Sequence, residues 1–407
     1  MKKFFVFSFA VALSLAALAP ATTHSQKQKT SADSGDKELS VKYFGKGKSA
    51  IPNQYIVVFH DWATGEKGAN SFAPALAGTM KDIYGGEVER TYKYALNGFA
   101  AKMTKEQALA LSQDPRVAFV EEDGVMTATT TQTGATWGID RIDQRDLPLN
   151  GTYNYTFTGS GVRAYVIDTG IRTTHTQFGG RASAVFDAFG GNGQDCNGHG
   201  THVAGTIGGS TYGVAKGVML RAVRVLDCNG SGSTSGVISG VDWVTANHIS
   251  PAVANMSLGG GASSSLDTAV NNSINSGVTY SIAAGNSNGA DACTQSPARV
   301  AAAITVGSTT STDARSSFSN IGTCVDIFAP GSSITSSWAT SDTATNTISG
   351  TSMATPHVVG ATALYLQAFP GSSPATIRNA LVNNATTNHI SNVGAGSPNR
   401  LLYTRFF

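Results

Sequence analysis

Beyond Trp137 the chain alternates short apolar runs with longer helix-patterned stretches, and Gly-rich turns separate them. The runs at 162–167, 222–226, 252–257, 279–283 and 303–306 read as strands. Strands that alternate with helices must cross over between parallel neighbours, and those crossovers lay helices on both faces of the sheet. An α/β fold with a mostly parallel central sheet is therefore expected. In such sheets function collects at the carboxyl ends of the strands, where Asp168, Leu226, Asp227, Ser257, Gly285 and Asn286 fall.

The chain has 407 residues, of which 41% are hydrophobic, enough for more than one domain with a substantial core. Its formal charge of +2 gives no case for a nucleic-acid partner. Composition changes sharply along the chain: after Thr129 there is no Glu and a single Lys, Lys216, so charge there is carried by Asp and Arg. That shift marks a boundary between two segments.

The chain opens Met-Lys-Lys, continues as an apolar run from 4 to 19, and reaches Ala-Pro-Ala at 19–21, the small-residue pattern of a signal cleavage site. At about 16 residues the run is short of the roughly 20 a membrane span needs. A signal at 1–21 and an exported product without a membrane anchor are expected. Residues 22–48, rich in Ser, Thr, Lys and Gly, read as a flexible linker. The next segment reads as strand 54–60, helix 71–83, strands 87–94 and 97–103, helix 104–113 and strand 116–122. This is a small α+β module of ferredoxin-like β-α-β-β-α-β order.

Cys196, Cys228, Cys293 and Cys324 all lie after the boundary. An even count in an exported chain favours disulfides, with three pairings open, and the lack of any Cys-x-x-Cys spacing argues against a metal site.

The chemistry concentrates in three runs. Residues 347–357 read Thr-Ile-Ser-Gly-Thr-Ser-Met-Ala-Thr-Pro-His, which sets Ser352 between a glycine and a long apolar helical stretch. Asp168 ends a strand-like run, and His199 lies in Asn-Gly-His-Gly-Thr-His at 197–202. A serine hydroxyl is a poor nucleophile until an imidazole takes its proton, and a carboxylate commonly fixes that imidazole. Taken singly, Asp168 reads as a cap, His199 as a packing residue and Ser352 as an N-cap. Asp-Thr-Gly also occurs in aspartic proteases, which need two such carboxylates where this chain offers one.

The three runs in this order resemble the subtilisin family of serine proteases, and more closely its proteinase K and aqualysin branch. The likeness extends almost without break from Trp137 to the C-terminus and includes the runs at 165–170, 197–205, 253–261, 283–286, 317–320 and 350–357. It implies a three-layer fold and a secreted endopeptidase in which Ser352 is the nucleophile, His199 the base and Asp168 its orienter, leaving His202 structural. It also implies Asn286, otherwise a turn residue, as an oxyanion donor beside the Ser352 N–H. Asn229, Gly230 and Ser231 on one side and Ser257, Leu258 and Gly259 on the other would flank an extended peptide substrate. Ala283, Ala284 and Gly285 would line the pocket for the residue before the scissile bond. These runs carry no charge, so aromatic or aliphatic residues are expected there.

By the same resemblance, residues 49–129 form an inhibitory propeptide that templates folding and then occupies the active site. Cleavage between Thr129 and Thr130 leaves a catalytic domain of 130–407, expected as a monomer acting on protein substrates. Cys196 would pair with Cys228, and Cys293 with Cys324. Calcium is the implied cofactor, in a structural role only. One site would use Asp140, Asp143 and Gln144, whose spacing suits one helical face. The region of Asn150 and Thr152 would assist, with Asn150 where a carboxylate is expected. A second would use Asp326 with the carbonyls of Ala301 and Ala303.

Overall fold

Apolar alternation in the small module builds a sheet with one face turned to two helices. The structure is a computed structural model that describes residues 42–46, 50–124 and 130–407. The expected signal, most of the expected linker and Thr129 lie outside the described residues. Chain contacts divide the molecule after Gly124 into two units.

The first unit contains β1 (Tyr43–Phe44), β2 (Ala50–Phe59), α1 (Asp61–Thr64), α2 (Ala73–Tyr84), β3 (Glu87–Tyr92), β4 (Gly98–Lys102), α3 (Lys105–Ser112) and β5 (Val117–Gly124). Its sheet order is β1-β5-β2-β4-β3, with β2 antiparallel to both neighbours. Tyr55, Val57 and Phe59 point from β2 onto Ala77 and Met80 of α2 and Leu111 of α3. A capping box between Thr104 and Gln107 starts α3. Part of the stretch read as linker is ordered: Tyr43 and Phe44 pair in parallel with Val120 and Glu121, and the Tyr43 hydroxyl donates to Glu122 Oε1 at 2.9 Å.

The second unit opens with β6 (Thr130–Thr133), α4 (Trp137–Ile142), β7 (Thr152–Tyr155), β8 (Arg163–Asp168), β9 (Ala182–Asp187), α5 (His199–Gly208) and β10 (Met219–Arg224). It continues with α6 (Thr234–Asn247), β11 (Ala252–Met256), β12 (Gly260–Gly261), α7 (Ser264–Asn275), β13 (Thr279–Ala283), β14 (Gln295–Ser296), β15 (Ile304–Thr309) and β16 (Ile327–Pro330). It closes with β17 (Ile334–Ser337), β18 (Thr345–Ile348), α8 (Thr351–Ala368), α9 (Pro374–Asn383), β19 (Thr386–Thr387) and β20 (Arg400–Leu401).

Among the described residues its main sheet has nine strands in the order β19-β20-β16-β15-β13-β11-β8-β10-β9. All neighbours are parallel except β19 with β20. Covered on both faces, β11 and β13 are buried throughout, as parallel strands require. One core layer packs α5 and α8 on one face, and the other packs α6 and α7 on the opposite face. Strand β10 starts and ends earlier than expected, because the Val225 and Leu226 N–H groups leave the ladder to donate to the Asp168 carbonyl. Two disulfides, Cys196–Cys228 and Cys293–Cys324, pair as the resemblance implied. Each closes a loop of 32 or 31 residues, contributing roughly 3 kcal/mol in the chain-entropy model.

Candidate active site

Three element ends carry the expected residues. Asp168 is the last residue of β8, His199 the first of α5 and Ser352 the second of α8. Asp168 is fully buried, and its Oδ1 lies 2.7 Å from His199 Nδ1. The contact fixes the tautomer: Nδ1 donates, so Nε2 is the basic nitrogen. Burial alone would lower the His199 pKa, but the Asp168 charge and hydrogen bond outweigh it, with Asp195 adding, and the net shift is upward. His202 lies in the same helix, fully buried, with Nε2 donating to the Ile334 carbonyl at 2.9 Å. Burial pulls its pKa down to about 4, so it stays neutral and serves the core.

Ser352 is held by its own helix and by the end of β11. Pro356 lies inside α8 and has no N–H, so the Ser352 carbonyl four residues earlier loses its helical donor. The Ser257 hydroxyl replaces it, donating to the Ser352 carbonyl at 2.9 Å, and the Ser352 hydroxyl donates back to the Ser257 carbonyl at 3.1 Å. Asn255 Nδ2 supports this latch by donating to Ser257 Oγ at 2.9 Å.

Asn286 follows β13. Its Oδ1 accepts from the Thr351 N–H at 2.8 Å and the Thr351 hydroxyl at 3.0 Å, which leaves Nδ2 as the outward donor. A methyl carbon added at Gly350 would lie 3.6 Å from Ser352 N and 3.7 Å from Asn286 Nδ2, so both donors flank one small space.

Two hollows meet at Leu258, Gly259 and Gly260. The larger, about 490 Å³, is bounded by His199 and by Asn229, Gly230 and Ser231 across from Ser257. The smaller, about 250 Å³, is lined by Ala283, Gly285, Asn286, Gln295 and Ser352. Ala284 turns into the core instead and is fully buried. Gly285 has φ +100, and a Cβ there would come within 2.3 Å of Gln295 Oε1, so this wall demands glycine. Gln295 and Thr351 were not anticipated; a lone Gln carries no local signature, and Thr351 matters only through its contact with Asn286.

The two calcium candidates differ in fit. Asp140 and Asp143 are buried, and burial raises both carboxyl pKa values. Asp143 Oδ1 has no hydrogen-bond partner among the described residues. Desolvated carboxylates with an orphaned oxygen suit a hard cation. The helix ends at Ile142, so only Asp140 of the expected helical trio is within it. Gln144 turns its amide onto the carbonyl of Pro148 at 2.9 Å, while Asn150 Oδ1 accepts from Thr152 Oγ1 at 2.6 Å.

At the second candidate two of the three expected ligands already have partners. Arg378 from α9 forms an ion pair with Asp326, and its Nε donates to the Ala303 carbonyl at 3.2 Å. Asp326 Oδ2 also accepts from the Thr305 N–H at 2.8 Å, and Ala301 is exposed. Arg378 thus bonds two of the three expected ligands, Asp326 and the Ala303 carbonyl, where the first candidate keeps an orphaned carboxylate oxygen.

Comparison with known proteins agrees with this geometry. A model of the subtilase family matches residues 159–400, and one of the I9 peptidase inhibitors matches 54–129. An extracellular serine proteinase of Thermus sp. (strain Rt41A) is 59% identical over 88% of this chain and 90% of that protein. Alkaline serine exoprotease A of Vibrio alginolyticus is 53% identical over 87% of this chain and 68% of its own length. The crystal structure of a cold-adapted subtilisin-like serine proteinase matches with a TM-score of 0.65 and 59% identity, over 67% of this chain and 99% of that one. Strand ends, latch and sequence thus converge: the chain belongs to the subtilase family of serine proteinases, with an I9-type inhibitor domain ahead of the protease.

Proposed function

We propose that the chain is a secreted serine endopeptidase of broad specificity that matures by cutting its own inhibitory domain away. The observation that carries the reading is the 2.7 Å contact between Asp168 and His199, which lines the larger hollow, and that hollow meets the one holding Ser352 and Asn286 at Leu258, Gly259 and Gly260. His199 Nε2 takes the Ser352 hydroxyl proton as the oxygen attacks the scissile carbonyl, which requires that hydroxyl to swing away from the Ser257 carbonyl. The oxyanion lies between the Ser352 N–H and Asn286 Nδ2. The imidazolium, oriented by Asp168, then gives its proton to the leaving amine. Water repeats the sequence on the acyl-enzyme and frees Ser352.

The exposed strip Asn229, Gly230 and Ser231 and the facing Ser257, Leu258 and Gly259 offer unblocked backbone to an extended peptide. The smaller hollow has no Asp, Glu, Lys or Arg in its lining, which favours an apolar residue before the cleaved bond. Structural calcium at Asp140 and Asp143 fits this reading, and the reaction needs no catalytic metal. Cleavage after Thr129 starts the mature enzyme at Thr130 and gives the small domain the part of inhibitor. Secretion agrees with the leader-like start and with the name of the Thermus relative. A fluorophosphonate probe applied to the purified enzyme tests the core: labelling at Ser352, lost in Ser352→Ala, is expected. An unlabelled wild type of normal fold would overturn it.

A further inference from the structure

Helix α5 begins without a side chain at its cap, since Gly198 holds that position. The first-turn N–H groups that such a start leaves open must find acceptors elsewhere. Three side chains supply them: His199 N–H donates to Asn197 Oδ1 at 3.2 Å, Gly200 N–H to Thr169 Oγ1 at 2.9 Å and Thr201 N–H to Asp195 Oδ2 at 2.9 Å.

Asp195 is the centre of this arrangement. Its Oδ1 accepts from the N–H groups of Asn197 and Gly198 and from the Thr169 hydroxyl, each at 2.9 Å. Its Oδ2 also accepts from the Thr201 hydroxyl at 2.6 Å. Thr169 follows Asp168 directly, and Gly200 and Thr201 follow His199, so one buried carboxylate joins the strand end that carries the acid to the helix turn that carries the base. Close packing leaves little slack at this junction: a Cβ at Gly200 would sit 2.1 Å from the Gly170 carbonyl oxygen. A negative charge at a helix start is also favourable in its own right.

We infer that Asp195 is a positioning residue of this protease, holding Asp168 and His199 in register by tying the end of β8 to the first turn of α5. It touches no reacting atom. The inference rests on the proposed serine-protease mechanism. Asn at this position keeps the shape but replaces one acceptor oxygen by a donor, which opposes the N–H and O–H groups now aimed at it.

The test is steady-state kinetics of Asp195→Asn, expressed as the full chain, on a short peptide substrate. The expected result is a kcat about 10- to 100-fold lower with KM within about threefold of wild type, the pattern of a misplaced base rather than of a lost substrate contact. A kcat within twofold of wild type, or a loss carried entirely by KM, would overturn the inference. Should Asp195→Asn fail to fold or mature, Thr169→Val decides: it leaves the Asp195 bonds to α5 intact and removes the Thr169 hydroxyl, which links the end of β8 to Asp195 and to the Gly200 N–H. A several-fold fall in its kcat supports the inference, and wild-type kcat refutes it. Fluorophosphonate labelling of the wild type, run alongside, separates failure of this inference from failure of the mechanism beneath it.

Discussion

Asn286 shows how much a single side chain is asked to do. Its oxygen is held by Thr351, and the nitrogen thereby faces the space where negative charge develops. Replacing it by Ala removes one of two oxyanion donors, and a loss of about 100- to 1,000-fold in kcat is expected, the magnitude known for a subtilisin oxyanion asparagine. Turnover within about threefold of the parent would refute the role. His199 sets the acid side of the rate profile. It acts as a base only when neutral, and Asp168 and Asp195 shift its pKa upward against the effect of burial. Activity should therefore fall as pH drops through a midpoint above the ordinary histidine value of about 6.5. A kcat/KM profile with its acid limb below that value would contradict the assignment.

At the scale of elements, the nucleophile depends on a defect in its own helix. Pro356 strips the Ser352 carbonyl of its helical donor, and Ser257 at the end of β11 repairs the gap. Ser257→Ala leaves that carbonyl buried without its hydroxyl partner, which costs about 1–3 kcal/mol. Thermal unfolding should register that loss, and kcat should fall with it because one of the two bonds that latch Ser352 is gone. The segment carrying Asp140 and Asp143 has an analogous deficit of positive charge. Chelation is expected to lower the melting temperature of wild type, and Asp143→Asn to abolish the chelator's effect while leaving Arg378→Ala sensitive to it. An effect of chelator that survives in Asp143→Asn would move the cation elsewhere.

The whole molecule combines a protease with an I9-type domain, and the two carry different chemistry in their compositions. Because activity is proposed to make the first cut, Ser352→Ala should accumulate as uncleaved precursor in a host without other proteases, as intact-mass measurement would show. Normal maturation of that variant would refute self-processing. The strand end at Asp168 and the helix starts at His199 and Ser352 were readable from sequence, because each stands in a short stretch with its own turn chemistry, whereas their joint role came only through the family resemblance. The doubly covered sheet was readable for a similar reason, since burial on both faces leaves continuous apolar runs such as β11 and β13. What escaped depends on partners far away in the chain. Arg378 reaches Asp326 from 52 residues downstream, and no local pattern announces that pairing. The strand at Tyr43–Phe44 escaped because two residues inside a polar stretch carry no period of their own.

The strand order has a further consequence, for how long the enzyme lasts. Strand β8 lies between β10 and β11, so Arg163 is registered with Met219 on one side and Ala252 on the other. A sheet built from such distant partners must close long loops before it gains any pairing, which makes its formation slow and, at a given stability, its collapse slow in proportion. A protease surrounded by its own kind is cut mainly when it opens. Its working life is then set by the height of an unfolding barrier rather than by the depth of its native well.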